Sequence, residues 1–211
     1  MDRILPDEAT IGWRPTEGEC FPNPRDGELV VFEDFYRWGI GLPAHPFLRK
    51  LLSYYRISLV HLNPNSILHL AIFINLCEAY LGLEPHFNLF CYFFHPKSFA
   101  GANVVGATYL VLRDGKASKY KPVPLSTSNK GWKAWWFYTK NVEDGLSTDI
   151  DSPATPNHNW SARQSSEEMH HVEELLDLLA WVNINGVECT QNFIGQRIQL
   201  CMERSHPTYE Y

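Results

Sequence analysis

Apolar residues along this chain fall first at helical spacing and later at strand-like spacing, and that change of period organises the reading. Val31, Phe32, Phe35 and Tyr36 recur at intervals of three and four, which predicts a short helix that Gly39 closes in a left-handed conformation. Gly41-Leu42-Pro43 turns the chain. Pro46 suits a first helical position, and Phe47, Leu48, Leu51, Leu52 and Tyr55 form one apolar stripe behind it. Asn63-Pro64 marks a third helix start: a side-chain acceptor at the cap, then a residue with no amide hydrogen to leave unbonded. This helix is predicted to run through Leu81 and stop at Gly82. It is apolar nearly all round from Ile67 to Cys77, so it belongs in the middle of a domain. Pro85 opens a fourth helix, carrying Phe87, Leu89, Phe90, Tyr92, Phe93 and Phe94 and ending before Pro96.

Beyond that point strands are expected. Val104–Arg113 reads as a strand, and Asp114-Gly115 is a hairpin signal. Tyr120–Leu125 would return, although Pro122 and Pro124 restrict it to a sheet edge or extended coil. Gly131–Lys140 reads as a third strand. Ser165 and Glu168 then fit a capping box. The helix they open carries Val172, Leu175, Leu176, Leu178, Leu179 and Val182, with Gly186 as its stop. Thr190 is expected to cap a last helix with Phe193, Ile194, Ile198, Leu200 and Cys201. The expected fold class is α+β: an N-terminal helical layer with a small antiparallel three-stranded sheet, then a C-terminal helical pair. The expected division is an extended arm at 1–28, pinned by Trp13 and Phe21, an α+β domain at 29–140, a linker or long loop at 141–164, and the helical pair at 165–211.

Composition changes this picture little. A chain of 211 residues can bury a real core. With 45% hydrophobic residues, among them seven Trp, ten Tyr and twelve Phe, it is not a disordered chain. Charge adds more. The formal net charge of -6 argues against coating nucleic acid through an overall positive field. Residues 97–140, however, hold eight bases against the single acid Asp114, and residues 141–180 hold nine acids against the single base Arg163. Such a contrast fits intramolecular matching or a partner-binding surface. The five cysteines are odd in number and contain no CxxC, and Met1–Thr10 lacks the basic-then-apolar order of a secretory signal. A reducing intracellular compartment is expected, with nucleus and cytoplasm equally open. The longest apolar stretch, Ile67–Leu83, is interrupted by His69, Asn75 and Glu78, so it reads as a core helix and no membrane partner is expected.

Candidate chemistry is sparse. His86, Cys91 and His95 lie close together with Cys77 upstream, and Cys91 and His95 would share a helical face, yet their spacing fits no structural zinc signature. A core cysteine and two helix-terminal histidines are the simpler reading. His170-His171 among Glu167, Glu168, Glu173 and Glu174 reads as a solvated helix start with acids at its positive end. Asp149 and Asp151 form a DxD with no third carboxylate nearby. Neither GxSxG, a P-loop nor GxGxxG occurs. The expectation is therefore a non-enzymatic chain without cofactor or metal, a metal-dependent enzyme being the remote alternative. The segment kept for function is basic and aromatic: Lys130, Trp132, Lys133, Trp135, Trp136 and Lys140. As a strand it would place Trp132, Trp136 and Tyr138 on one face and Lys133, Trp135 and Phe137 on the other. Exposed rings beside cations hold single-stranded nucleic acid without sequence preference. The competing reading packs one face on the helices and leaves the lysines to solvate an edge.

Longer motifs carry a family resemblance. Val31-Phe32-Glu33-Asp34-Phe35-Tyr36-Arg37-Trp38-Gly39, then Leu42-Pro43-Ala44-His45-Pro46-Phe47, resemble the opening of the gypsy-type transposon domain found in plant retroelement-derived proteins. Leu62-Asn63-Pro64-Asn65-Ser66-Ile67 and the run from Leu76 to Phe87 are similar to the same family, as is the block Gly131-Trp132-Lys133 with Trp136-Phe137-Tyr138. Downstream, Phe193–Leu200 and His206–Tyr211 resemble the helix and closing motif of such proteins. The resemblance implies a retrotransposon origin and no catalytic residues to carry over. Longer members continue past the closing motif, so it also implies a fragment or degenerate copy. The punctuation between residues 39 and 85 is expected to serve architecture, with Glu78 and His86 bonded within the fold. The function expected is a scaffold that self-associates through helical pairs and exposed rings; the alternative is a module for single-stranded nucleic acid at residues 130–140.

Overall fold

The computed structural model describes residues 12–99, 104–120, 130–141, 146–184 and 186–195. It has the expected α+β architecture with a three-stranded antiparallel sheet, but the strands come from unexpected places. Trp136–Lys140 (β5) is the centre, flanked by Trp13–Pro15 (β1) and Glu28–Phe32 (β2). Val31 faces Phe137 in one ladder and Arg14 faces Tyr138 in the other. Val31 and Phe32 thus end a strand, and only Glu33–Arg37 (α1) is helical. The reason is that Leu29, Val30, Val31 and Phe32 are all buried. A short apolar run covered on both faces has no period to separate strand from helix, and only the distant partner decides. The expected arm contributes β1, held by the Arg14–Glu28 ion pair at 2.8 Å.

The helical layer follows the sequence closely. Pro46–Tyr55 (α2) begins on His45, whose Nδ1 accepts the Phe47 amide hydrogen, and ends at left-handed Arg56. Pro64–Asn75 (α3) starts at Asn63, whose Oδ1 accepts the Ser66 amide. It continues as a π-helical turn, Leu76–Leu81, that Gly82 closes at positive φ. Phe87–Phe93 (α4) starts at His86. It ends two residues earlier than the Pro96 boundary requires, because Phe94–Ser98 (β3) pairs with Thr108–Leu112 (β4) as a separate two-stranded ladder. The expected forward hairpin is corrected accordingly. β4 pairs back to β3, and Asp114-Gly115 leads into a helical turn, Ala117–Tyr120 (α5), whose Tyr120 ring packs on Phe93 and Phe94. The remainder of the expected return strand, 121–125, lies outside the described residues.

The stretch expected to be a linker holds a helical turn, His158–Ser161 (α6), with Trp160 buried. Its neighbours close the C-terminus of α2. Asn157 and the Trp160 indole donate to the Tyr55 carbonyl, and Asn159 donates to that of Tyr54. Those carbonyls have no partner within the helix, so three side chains supply what the helix end lacks. Ser166–Val182 (α7) carries the expected capping box of Ser165 and Glu168. Left-handed Asn183, not Gly186, ends it, and Gly186 instead begins Gly186–Phe193 (α8). Thr190 is buried inside α8 and is not its cap. The continuation to Ile198, Leu200 and Cys201 lies outside the described residues. One buried cluster runs from Leu29 to Phe193 and draws on both the sheet and the helices.

Candidate functional site

A cleft of about 380 Å³ opens beside the turn between α1 and α2. Gly39, Gly41 and Pro43 form one wall, Ala71, Ile74 and Asn75 of α3 another, and Phe193 of α8 closes one end. A side chain at Gly39, where φ is +95°, would overlap the Phe193 ring, so the glycine answers both to backbone and to packing. His45, Arg49 and Glu78 supply ionisable groups. The sequence reading expected architecture at residues 39–85, and here is a solvent-reachable hollow with converging charges.

The geometry nevertheless uses those charges for support. His45 Nδ1 is engaged by the Phe47 amide at 3.1 Å, which leaves the proton of a neutral ring on Nε2, 3.2 Å from Glu78 Oε1. The ring therefore has no lone pair free to act as a base. It ties the start of α2 to the π-helical turn instead. Among the described residues the lining includes no Ser, Thr, Cys, Lys or Tyr that could act as a nucleophile. The partner of Glu78 is His45, and His86 is bonded separately, accepting the Leu89 amide at 3.3 Å.

The same device recurs. His61 Nδ1 accepts the Ser58 amide at 2.9 Å and its Nε2 donates to the Ser152 carbonyl at 2.8 Å. Burial holds His61 and His86 below the ordinary histidine value and lowers His69 to about 4. Asp149 accepts the amides of Asp151 and Ser152, so the DxD is a local turn, and the hydrogen bonds from Ser152 hold its carboxyl low. Cys91 is buried against the Tyr55 hydroxyl at 3.4 Å, and burial raises its thiol to about 11. His95 sits on β3, not on the helix of Cys91, so the shared helical face expected for them does not exist. Among the described residues no three His, Cys, Asp or Glu side chains are grouped as metal ligands.

The basic-aromatic segment is dispersed. Trp136 is buried in β5 and its indole donates to the Tyr138 hydroxyl at 3.2 Å. It offers no face to a base, which corrects its place among the expected interface residues. The cause is that β5 is the central strand, with apolar contacts on both faces. Trp132 sits in a one-turn helix, Trp132–Ala134, before the strand, stacked on Phe35 at 5.4 Å. Lys133 Nζ donates to the Val105 carbonyl at 2.6 Å, and the stem of Lys140 runs along Gly12. Lys130 is exposed, and Trp135 alone of the three Trp rings projects, 63% exposed.

Phe21, Phe99 and Trp181 also project, and Trp181 is the one of these on a helix. Trp181, near the end of α7, is 81% exposed. It stands one turn from Asp177 on the polar face, so its position off the Val172–Leu179 stripe was the available signal.

Residues 30–98 match a family model described as "Putative gypsy type transposon". No curated protein and no solved structure matches the chain. Among the described residues no helix is long and apolar enough to cross a membrane.

Proposed function

Taking residues 30–98 as a gypsy-type transposon domain, we propose that this retrotransposon-derived chain is a non-catalytic assembly module that associates with copies of itself. One observation carries the reading: two tryptophans on or beside regular elements, Trp135 and Trp181, are 63% and 81% exposed, Phe21 and Phe99 being the other exposed rings among the described residues. Trp is enriched among the residues that contribute most to protein contact surfaces. The fate of the ionisable groups supports the non-catalytic part. His45, His61 and His86 all have Nδ1 occupied by a backbone amide, and Cys91 is buried with its thiol protonated. The test is sedimentation or light scattering over a wide concentration range. A mass that rises with concentration is expected; a strict monomer at several hundred micromolar would sink the reading.

The alternative, a module for single-stranded nucleic acid, is favoured by Trp135 standing close in sequence to exposed Lys130 and Lys133. Such binding must weaken steeply with salt, because it rests on phosphate contacts. Titration of an unstructured oligonucleotide at low and high salt decides it, and binding that ignores salt removes this alternative.

A further inference from the structure

The two exposed tryptophans have sequence neighbours of opposite charge. On α7, Glu173, Asp177 and Trp181 follow at intervals of four and so share one exposed stripe, and α7 carries no Lys or Arg. Trp135 lies just before β5, and its exposed neighbours in the chain are Lys130, Lys133 and, at the far end of the strand, Lys140. Among the described residues no ion pair joins a base of 97–140 to an acid of 141–180, although Lys119 and Asp177 line one cavity beside α7. Lys116 instead lies over the Tyr92 ring and Lys133 on a carbonyl. The two faces also rest on different parts of the fold. α7 packs on α4 and the π-helical turn, whereas the Trp135 carbonyl accepts the Glu33 amide beside the three-stranded sheet.

Resting on the assembly reading above, we propose that the partner is a second copy of this chain, docked head to tail: the acidic Trp181 stripe of one copy against the basic Trp135 patch of the next. Complementary charge selects this pairing, since Trp181 against Trp181 or Trp135 against Trp135 would bring like charges together. A contact between two different patches is heterologous, so copies add in series into a ring or an open chain and do not stop at a two-fold dimer. The contact weakens with salt.

The test uses the full chain and two variants, Trp135→Ala and Trp181→Ala, both of exposed side chains whose loss leaves the core intact. Each variant alone should lose association by about thirtyfold or more, as expected for a central ring. Mixed in equal amounts they should form a dimer and nothing larger, because each keeps one working face and the two are complementary. Thermal melts matching the parent keep the comparison valid. If Trp135→Ala associates like the parent while Trp181→Ala does not, the contact is two-fold through α7, and the head-to-tail pairing falls while self-association stands. If the parent is monomeric throughout, the assembly reading falls with it. If Lys130→Glu with Lys133→Glu abolishes oligonucleotide binding and leaves association unchanged, the basic patch belongs to nucleic acid and the pairing is overturned.

Discussion

In the cleft beside residues 39–78, charged side chains converge on open space and serve to hold helices together; in residues 130–140, rings suited to an open surface are mostly inside. The two regions contain the residue types that sequence reading associates with chemistry. What separates them is the number of their neighbours. His45 and Glu78 remain about one third exposed, so their 3.2 Å contact is a tether at a rim. Trp136, Phe137, Tyr138 and Thr139 are buried because β5 has a strand on each side. Residue type tells what a side chain is able to do, and the count of elements packed around it tells whether it is free to do so.

The largest expected effect tests the second half of that contrast. Phe137→Ala removes a fully buried ring from the central strand and should cost about 3–5 kcal/mol. Trp135→Ala, two residues earlier and 63% exposed, should change stability by no more than about 0.5 kcal/mol. Denaturant midpoints of the two variants measure the difference. Comparable losses would mean that Trp135 packs like its neighbours and that the segment has no free surface.

Gly39→Ala comes next and probes the cleft wall. The left-handed backbone at +95° and the overlap with Phe193 should together cost about 1–3 kcal/mol. Phe193→Leu combined with it separates the two causes. The ring overlap is relieved in the double variant and the backbone strain is not, so a partial recovery is expected in a double-mutant cycle. Full additivity would detach α8 from the Gly39 turn.

These outcomes also explain how much of the molecule was legible. Local punctuation was: Asn63 and Ser165 cap as expected, Pro46 begins its helix, and Gly82 closes the apolar one, because each signal acts within a single turn of chain. Long-range pairing was not. Nothing in Leu29–Phe32 announces that its partner lies more than a hundred residues later, and nothing in Arg14 announces Tyr138. Asp114-Gly115 makes the turn its sequence signals without making a hairpin, since the direction of pairing is decided by β3 and not by the turn. The cleft was hidden for a similar reason: Gly39, His45 and Glu78 meet only after α3 and α8 have packed.

A smaller effect follows from the histidines. Burial lowers His61, His86 and His95 from the ordinary 6.5 and lowers His69 to about 4. Between the folded and unfolded values the unfolded chain binds more protons, so stability rises with pH through that interval. It is fully present above about pH 6.5 and is lost as pH falls toward about 4. His61 makes the sign concrete, because protonating Nδ1 would set two hydrogens against each other at the Ser58 amide. Denaturant midpoints at about pH 5 and about pH 7.5 should differ in favour of the higher pH. Equal midpoints, or a preference for acid, would mean that these rings are more hydrated than their packing implies.

The smallest effect belongs to the tether itself. Glu78→Ala removes a pair that is 35% and 39% exposed, and such pairs contribute between nothing and about 1 kcal/mol. His45→Ala should cost more than Glu78→Ala, because it also removes the acceptor that caps α2, an effect of about 0.5–2 kcal/mol. His45→Asn keeps a cap acceptor and loses the reach to Glu78, so it should fall near Glu78→Ala. That ranking distinguishes a ring held for support from one held for chemistry. If Glu78→Ala proves the most damaging of the three, the carboxylate is doing more than steadying a helix start, and the cleft, not the exposed tryptophans, becomes the place to look for function.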